Sequence, residues 1–343
     1  MRDILCAFLA VVVSAAMMGR VDAAGLVFEA KDGPGKDKHI VLIAGDEEYR
    51  SEESCPMLAK ILNKHYGFKT TVLFSVDPEG GYIDPNNQKN IAGMEAVKTA
   101  DVVIIGTRFR TLPDEQIQPL ADYLNAGKPI IGFRTATHAF RGASKAGGIA
   151  WSKFGPVILG EGWVAHYGRH KVQGCRGVIN DAHKDHPILK GVSDIFADSD
   201  VYTVKRVTDD NAKILVRGQV TETLKPDSAA VTDDPKKNVP QAAAWLRSYK
   251  TPEGEKEGTA FCTTMGSSSD FRSEGLRRLV VNATFYLAGM DVPEKTNVAM
   301  VDEFVPSFYG FIKQADYFKN LGHKPEDYGY GKSPLSGPVA KHY

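Results

Sequence analysis

Three stretches of this chain begin with apolar residues and end in a turn that carries charged side chains. They are His39–Arg50, Val102–Arg110 and Ile130–His138. Buried strands that end in polar turns are typical of open α/β sheets, which bind their ligands at the carboxyl ends of the strands. The pattern therefore predicts that the three turns meet in one pocket at a single edge of a sheet.

Helical stretches alternate with these strands. A helix is predicted from Ser51, because Leu58, Ile61 and Leu62 recur at helical spacing, and a second helix is predicted over Pro113–Ala126. Near-continuous apolar strands joined by helices indicate a mostly parallel sheet with helices on both faces. The predicted fold class is therefore α/β and doubly wound.

The second half of the chain is less regular, and we interpret it as an elaborated region over the pocket. Glycines, histidines and short apolar runs follow one another from Ala143 to about Leu224. The elements predicted in this half are strands at 177–180, 201–207 and 213–216, a hairpin of Gln241–Tyr249 with Gly258–Thr264, and a last helix over Ser273–Ala288.

Composition divides the chain into four segments. We predict a signal peptide over residues 1–24, a polar leader over 25–38, an α/β domain over 39–290 and an aromatic-rich extension over 291–343. The apolar run Ile4–Met18 and the small residues Ala23 and Ala24 suit export and cleavage. The product is expected to be periplasmic or extracellular, without a stable membrane span, and an uncleaved anchor is the alternative.

The carboxyl-terminal extension is rich in aromatic side chains, which are costly to leave in water. We therefore expect it to lie across the domain or across a second subunit. The second possibility predicts a homo-oligomer formed through the extension.

Charge and cysteine content exclude several classes of protein. The 42 basic residues balance the 42 acidic ones, which is unlike a nucleic-acid-binding protein and favours a small-molecule partner. Cys6 lies in the predicted signal, and three cysteines, Cys55, Cys175 and Cys262, remain. Three thiols cannot all pair within one chain, so we expect buried, unpaired cysteines and no disulfide framework.

Five motifs resemble the ThuA-like, or trehalose-utilisation, family. They are Ile40–Glu53, Gly106–Arg110, Gly132–Phe140, His186–Val192 and Met265–Ala283. The resemblance covers about Lys38–Met290. It implies a flavodoxin-like fold similar to class I glutamine amidotransferases and a role in carbohydrate use, often in exported proteins.

The chemistry of glutamine hydrolysis does not match these residues. An amidotransferase of this fold needs a nucleophilic cysteine on the turn after a central strand. The corresponding turn, Gly132–Ala136, has no cysteine, and no His-x-Glu pair follows at His170, His183 or His186. We predict that the protein is not a glutamine amidotransferase.

The charged turns suggest a polyhydroxylated ligand, because carboxylates and guanidinium groups together accept from and donate to hydroxyl groups. Glu48 and His138 are predicted to move protons, and Arg108 and Arg110 to orient substrate oxygens. The remaining predicted substrate-binding residues are Glu47, Tyr49, Arg134, Thr135, Ser268 and Asp270.

Structural roles compete with these functional ones. Glu47, Glu52 and Glu53 also suit the positive end of a helix, and Asp270 or Ser273 suits the cap of the last helix. The histidine-rich stretch also offers zinc ligands, and His166 is the candidate, although no compact zinc spacing is present.

The sequence thus predicts an exported protein of carbohydrate use that acts on a sugar, keto-sugar or glycoside by acid–base chemistry, as a hydrolase or an isomerase. A non-catalytic carbohydrate-binding module and a scaffold protein are the alternatives. No nicotinamide site is indicated, because the glycines at 142–148 lack the required spacing. A divalent metal such as zinc is the one cofactor left open.

Overall fold

The computed structural model describes residues 20–22 and 25–339, and the predicted signal peptide otherwise lies outside the described residues. Eleven strands of these residues form one sheet. The strands are β1 (Arg20–Asp22), β2 (Gly25–Phe28), β3 (His39–Gly45), β4 (Lys69–Phe74), β5 (Val102–Thr107), β6 (Ile130–Phe133), β7 (Cys175–Ile179), β8 (Ile195–Ala197), β9 (Lys213–Val220), β10 (Gln241–Tyr249) and β11 (Gly258–Thr263). The α-helices are α1 (Ser51–Tyr66), α2 (Asp114–Asn125), α3 (Glu274–Leu287) and α4 (Tyr317–Leu321).

The strand order is β1-β2-β4-β3-β5-β6-β11-β10-β9-β7-β8. The five central strands, β4, β3, β5, β6 and β11, are parallel, and the strands on both sides of them pair antiparallel. The carboxyl ends of β3, β5 and β6 therefore share one edge of the sheet. The predicted α/β class and the hairpin of β10 with β11 are confirmed.

The central strands are apolar on both faces because helices cover both. Alternate residues of β3 contribute to two cores: Leu42 packs in the core that contains α1 and α3, and Ile43 in the core that contains α2. Leu58 of α1 and Leu120 of α2 are fully buried in those two cores. The amphipathic stripes seen in the sequence thus pack on opposite faces, as a doubly wound sheet requires.

The structure corrects two predictions, the start of the folded region and one strand. The folded region begins before His39, because Leu26 and Phe28 of the predicted leader are buried in β2, which pairs antiparallel with β4. The predicted strand over 201–207 does not join the sheet. Its backbone pairs with the preceding loop instead, where the N–H of Tyr167 donates to the carbonyl of Val201 over 2.8 Å.

The carboxyl-terminal extension packs on the domain of its own chain. Tyr309, Phe318 and Tyr328 are buried. The hydroxyl groups of Ser307 and Ser336 donate to the Glu53 carboxylate at the start of α1, over 2.5 and 2.8 Å. The extension is therefore part of the domain's structure, and an oligomer formed through it stays a prediction.

A helix that crosses a bilayer needs about 20 consecutive apolar residues. Among the described residues, no helix is long and apolar enough to cross a membrane.

Candidate functional site

A cavity of about 350 Å³ lies at the carboxyl edge of the central strands, where the charged turns meet. Its walls come from the ends of β3, β5 and β6, from the loop between residues 160 and 203, and from the extension. The lining residues are Glu48, Tyr49, Arg108, Phe109, His138, Trp163, His166, His170, Lys171, Tyr202 and Phe311.

A larger groove, of about 660 Å³, lies at the opposite edge, near the amino ends of β6 and β11. It is lined by His183, Asp209 and Asp210 among others, and Asp209 forms an exposed ion pair with Arg217. We place the functional site in the smaller cavity, because that is where buried charge and aromatic rings converge.

Glu48 faces the cavity between a guanidinium group and an imidazole. Its Oε2 lies 3.3 Å from Nε of Arg108, and its Oε1 lies 3.4 Å from Nε2 of His170. The Arg108 guanidinium also stacks on the rings of Phe109 and Phe311, each 4.8 Å away. The structure therefore brings together the predicted residues Glu48, Arg108 and Tyr49 around one space.

A second set of residues lies beneath the cavity, and four of its five members were predicted to bind the substrate. We call this set the ionic floor. Its members are Asp46, Glu47, Arg110, Arg134 and Thr135, and all of them are buried.

Glu47 and Arg110 pair within the ionic floor. Glu47 also accepts from Nη1 of Arg108 over 2.6 Å. Nη1 of Arg110 donates to the carbonyls of Pro85 and Asn87, over 2.9 Å each. Because the donors of Arg110 are used inside the protein, it cannot orient a ligand, and its predicted binding role is corrected to a structural one.

Asp46 and Thr135 hold the turn that follows β3. Asp46 accepts from the N–H groups of Glu48 and Tyr49, over 2.8 and 3.0 Å, and from the Thr135 hydroxyl. Burial, followed by the nearby Glu47 carboxylate, raises the pKa of Asp46 to about 6. Thr135 therefore shapes the turn and does not reach the cavity.

Arg134 occupies the turn after β6 with a left-handed φ of 48°. Its guanidinium lies between the rings of Tyr49 and Tyr202, 4.4 and 3.8 Å from their centroids. Nη2 of Arg134 also donates to Oδ1 of Asp200 over 3.1 Å. The turn after β6 thus holds a buried cation and no cysteine.

Asp270 and Ser268 lie away from the cavity. Asp270 accepts from the N–H groups of Gly266, Ser267 and Ser199, and burial raises its pKa to about 7, with Asp198 adding to the shift. The Ser268 hydroxyl donates to a carbonyl of the extension. Their predicted substrate-binding roles are therefore corrected to structural ones. The cap of α3 is the other candidate, Ser273, which accepts from the N–H of Leu276 over 3.3 Å.

His138 lies at the cavity but is a poor carrier of protons. Burial, followed by the charges of Arg108 and Arg134, lowers its pKa to about 3. Its ring packs 4.9 Å from Phe109 and 5.1 Å from Trp163. Because the imidazole stays neutral near pH 7, the structure argues against the predicted proton-transfer role and leaves it as a hydrogen-bonding group.

Two histidines and an aspartate form a cluster in the same cavity. Nδ1 of His166 lies 2.7 Å from Oδ2 of Asp200, and Nδ1 of His170 lies 3.0 Å from Oδ1. Burial opposes the ionised form of Asp200, but the hydrogen bonds from both imidazoles and the charge of Arg134 outweigh it and hold the Asp200 pKa well below its usual range. These three side chains can hold a metal ion.

Sequence reasoning missed Asp200 and named His170 only as one histidine of the stretch that could bind zinc. His166 and His170 lie four residues apart, and this compact spacing was wrongly discounted in the sequence. Asp200 gave no such signal, because only the tertiary fold brings it to the two histidines, 34 positions after His166. Phe311 was also missed, because it comes from the extension.

The cysteines do not contribute to the cavity. Cys55, Cys175 and Cys262 are buried and unpaired, as predicted. Burial raises the pKa of each thiol above its usual value. No cysteine of the described residues lines the cavity, which agrees with the absence of a thiol nucleophile at the turn after β6.

The fold and the cavity define a flavodoxin-like α/β protein with its candidate site at the carboxyl edge of the sheet. A comparison with protein families matches residues 41–287 to ThuA, described as trehalose utilisation. The match spans well over half of the chain, so the chain belongs to the ThuA family.

A solved structure agrees with this assignment at the level of the fold. A ThuA-like protein from Parabacteroides merdae is 15% identical, with a TM-score of 0.50, over 75% of this chain and 92% of that one. Another from Bacteroides uniformis is 13% identical, with a TM-score of 0.46, over 75% and 93%. A comparison with curated proteins gave no match.

Proposed function

We propose that this is an exported protein of carbohydrate use that acts on a sugar, keto-sugar or glycoside by acid–base chemistry, without a cysteine nucleophile. One observation carries the proposal: the Glu48 carboxylate faces a small cavity between Arg108 and His170, beside exposed aromatic rings. Export is supported by the sequence of residues 1–24 alone.

The walls of the cavity suit a sugar ring. Trp163 and Phe311 are 39% and 46% exposed, although large aromatic side chains usually lie in the core. Exposed rings at a cavity can pack on the apolar face of a pyranose, while Arg108 and His138 can hydrogen-bond to its hydroxyl groups. The volume of about 350 Å³ is enough for one small ligand.

The proton transfer is assigned to Glu48. Its carboxylate faces the cavity, where Arg108 and His170 hold it in position. Glu48 does not belong to the ionic floor, so its carboxylate is accessible to a ligand. A glycoside hydrolase and a sugar isomerase both need such a group, which takes a proton from one oxygen or carbon and returns it to another. His138, which stays neutral, is assigned to binding.

The test compares two adjacent glutamates that differ in their surroundings. Turnover of a panel of glycosides and keto-sugars is measured for the wild type, Glu48→Gln and Glu47→Gln. We expect Glu48→Gln to keep its thermal stability and sugar binding but to lose about 10²-fold or more of its turnover, which is the usual contribution of a general acid or base. Glu47→Gln should instead lower the stability.

The other outcomes of this test separate the alternatives. Sugar binding without turnover in the wild type would favour a non-catalytic carbohydrate-binding module on the same fold. Unchanged turnover in a folded Glu48→Gln variant would remove Glu48 from the mechanism. If no sugar in the panel binds, the carbohydrate proposal is wrong.

A further inference from the structure

We propose that His166, His170 and Asp200 bind a divalent transition metal, of which zinc is the representative, at the wall of the cavity. This inference shares only its location with the proposed function, because the metal would lie in the same cavity as the sugar. It rests on the geometry, exposure and charge of the three side chains.

The spacing of the three side chains matches a coordination shell. The ligand atoms lie within 4.8 Å of one another, and the two nitrogen–oxygen contacts are 2.7 and 3.0 Å. Tetrahedral ligands bound to one zinc ion at about 2.0–2.2 Å lie roughly 3.4 Å apart, so the three side chains need to separate by only a few tenths of an ångström to admit the ion. The two imidazole rings are also close together, with centroids 4.4 Å apart, and both face the same carboxylate.

The exposure of the ligands leaves room for a metal and for one further ligand. The Asp200 side chain is fully buried, whereas the side chains of His166 and His170 are 33% and 26% exposed toward the cavity. Three protein ligands with an open side are typical of catalytic metal sites, where the remaining position takes water or substrate. An oxygen atom of a bound sugar could therefore reach the metal directly.

The types of the ligands select the class of metal, and neighbouring side chains support its binding. Imidazole ligands favour zinc and its transition-metal neighbours over magnesium and calcium, which prefer oxygen ligands. Glu48 adds a second carboxylate, whose Oε1 is 3.4 Å from Nε2 of His170. Arg134 lies on the other side of Asp200 and orients its carboxylate through Oδ1.

The experiment measures metal binding directly. Tag-free, full-length protein is stripped with a chelator and titrated with Co²⁺, followed by visible absorbance, and with Zn²⁺, followed by calorimetry. We expect one equivalent to bind to the wild type. His166→Ala and His170→Ala should each weaken binding by on the order of 10²-fold or more, because each removes one of three ligands.

The matched control is His183→Ala, which removes a histidine that lines the groove at the opposite edge of the sheet. It should bind metal as the wild type does. Asp200→Asn tests the carboxylate, but Asp200 is buried and the variant can fail to fold. The decision therefore rests on His166→Ala, whose side chain is partly exposed, after circular dichroism has confirmed its fold.

Two results would overturn the inference: no binding of Co²⁺ or Zn²⁺ by folded wild type, or equal binding by wild type and His166→Ala. Sugar binding is measured on the same samples by thermal shift. Sugar binding without metal binding would reject the metal site and leave the proposed function standing. Metal binding without sugar binding would do the reverse.

Discussion

Glu47 and Glu48 are adjacent and carry the same side chain, with similar exposure of 6% and 7%, yet they belong to different regions of the molecule. Glu47 lies in the ionic floor, where Arg108 and Arg110 bind its carboxylate. Glu48 lies in the cavity lining, between Arg108 and His170. The comparison teaches that neither burial nor residue type separates a structural carboxylate from a functional one. What separates them is whether the protein itself uses all of the group's bonding capacity.

The same contrast holds for the two arginines of the turn after β5. Arg110 is fully buried and bonded on every side, whereas the Arg108 side chain is 19% exposed and faces both regions. Breaking a buried ion pair leaves the other charge unmatched, which costs more than the pair contributes. Stability should therefore depend on the floor, and ligand binding on the lining.

The largest expected effect comes from removing Arg110. Arg110→Ala leaves the Glu47 carboxylate buried with one of its two guanidinium partners gone, so we expect a loss of about 3–5 kcal/mol in the free energy of unfolding. Urea denaturation measures it. The matched variant is Arg141→Ala, an exposed arginine near the same rim, which should change stability by less than about 1 kcal/mol. If Arg110→Ala behaved like Arg141→Ala, the ionic floor would not be a structural unit.

A second test concerns a buried acid outside the floor. Burial raises the pKa of Glu52 to about 7, with Arg50 opposing the shift and Glu53 adding to it, and Ser336 donates to it over 2.6 Å. Since the folded state holds this proton more tightly than the unfolded state does, stability should fall as pH rises from about 4.5 to about 7 and level off above.

Glu52→Gln mimics the protonated acid. It should remove about 1–3 kcal/mol of the decrease in the free energy of unfolding between pH 4.5 and 7. Urea denaturation between pH 4 and 8 gives the curve. Glu79→Gln, on an exposed turn, should keep the wild-type slope. A wild-type slope in Glu52→Gln would mean that Glu52 is ionised in the folded protein.

The third test separates the lining from the floor. Arg108→Ala should weaken sugar binding by about 10-fold or more, because a hydrogen bond to a charged group contributes about 1.5–3 kcal/mol. Glu47 keeps its pairing with Arg110, so the loss of stability should be clearly smaller than that of Arg110→Ala. Calorimetry measures the sugar affinity, and urea denaturation of the same sample measures the free energy of unfolding. Equal losses of stability would place Arg108 in the floor.

The smallest effect is expected at the aromatic walls. Trp163→Ala and Phe311→Ala should each weaken sugar binding by about 3- to 10-fold, in line with about 0.5–1.5 kcal/mol for an aromatic contact. Both side chains are exposed, so the melting temperature should change little. Affinity that is the same in both variants and the wild type would show that the ligand does not stack on these rings.

Much of the fold was predictable from local sequence. The start of α1 and the bounds of α2, α3, β10 and β11 agree with prediction to within one residue. The meeting of Glu48, Arg108 and His138 at one cavity was also predictable. Parallel strands place the turns at their carboxyl ends along one edge of the sheet, whatever the details of packing. The start of the domain at β2 was missed, since a four-residue strand carries little periodicity.

The sequence by itself determined the class of sheet, the edge that carries the candidate site and the absence of a cysteine at the turn after β6. Apolar periodicity and strand ends depend on neighbours in the chain, so they are visible locally. Only the tertiary structure decided which charged groups became floor and which became lining, and it alone brought Asp200 to His166 and His170. Those outcomes depend on contacts between residues that lie far apart in the chain, for example 34 positions for His166 and Asp200 and 130 for Arg134 and Thr264. Such distant partners decide whether every donor and acceptor of a buried group is used.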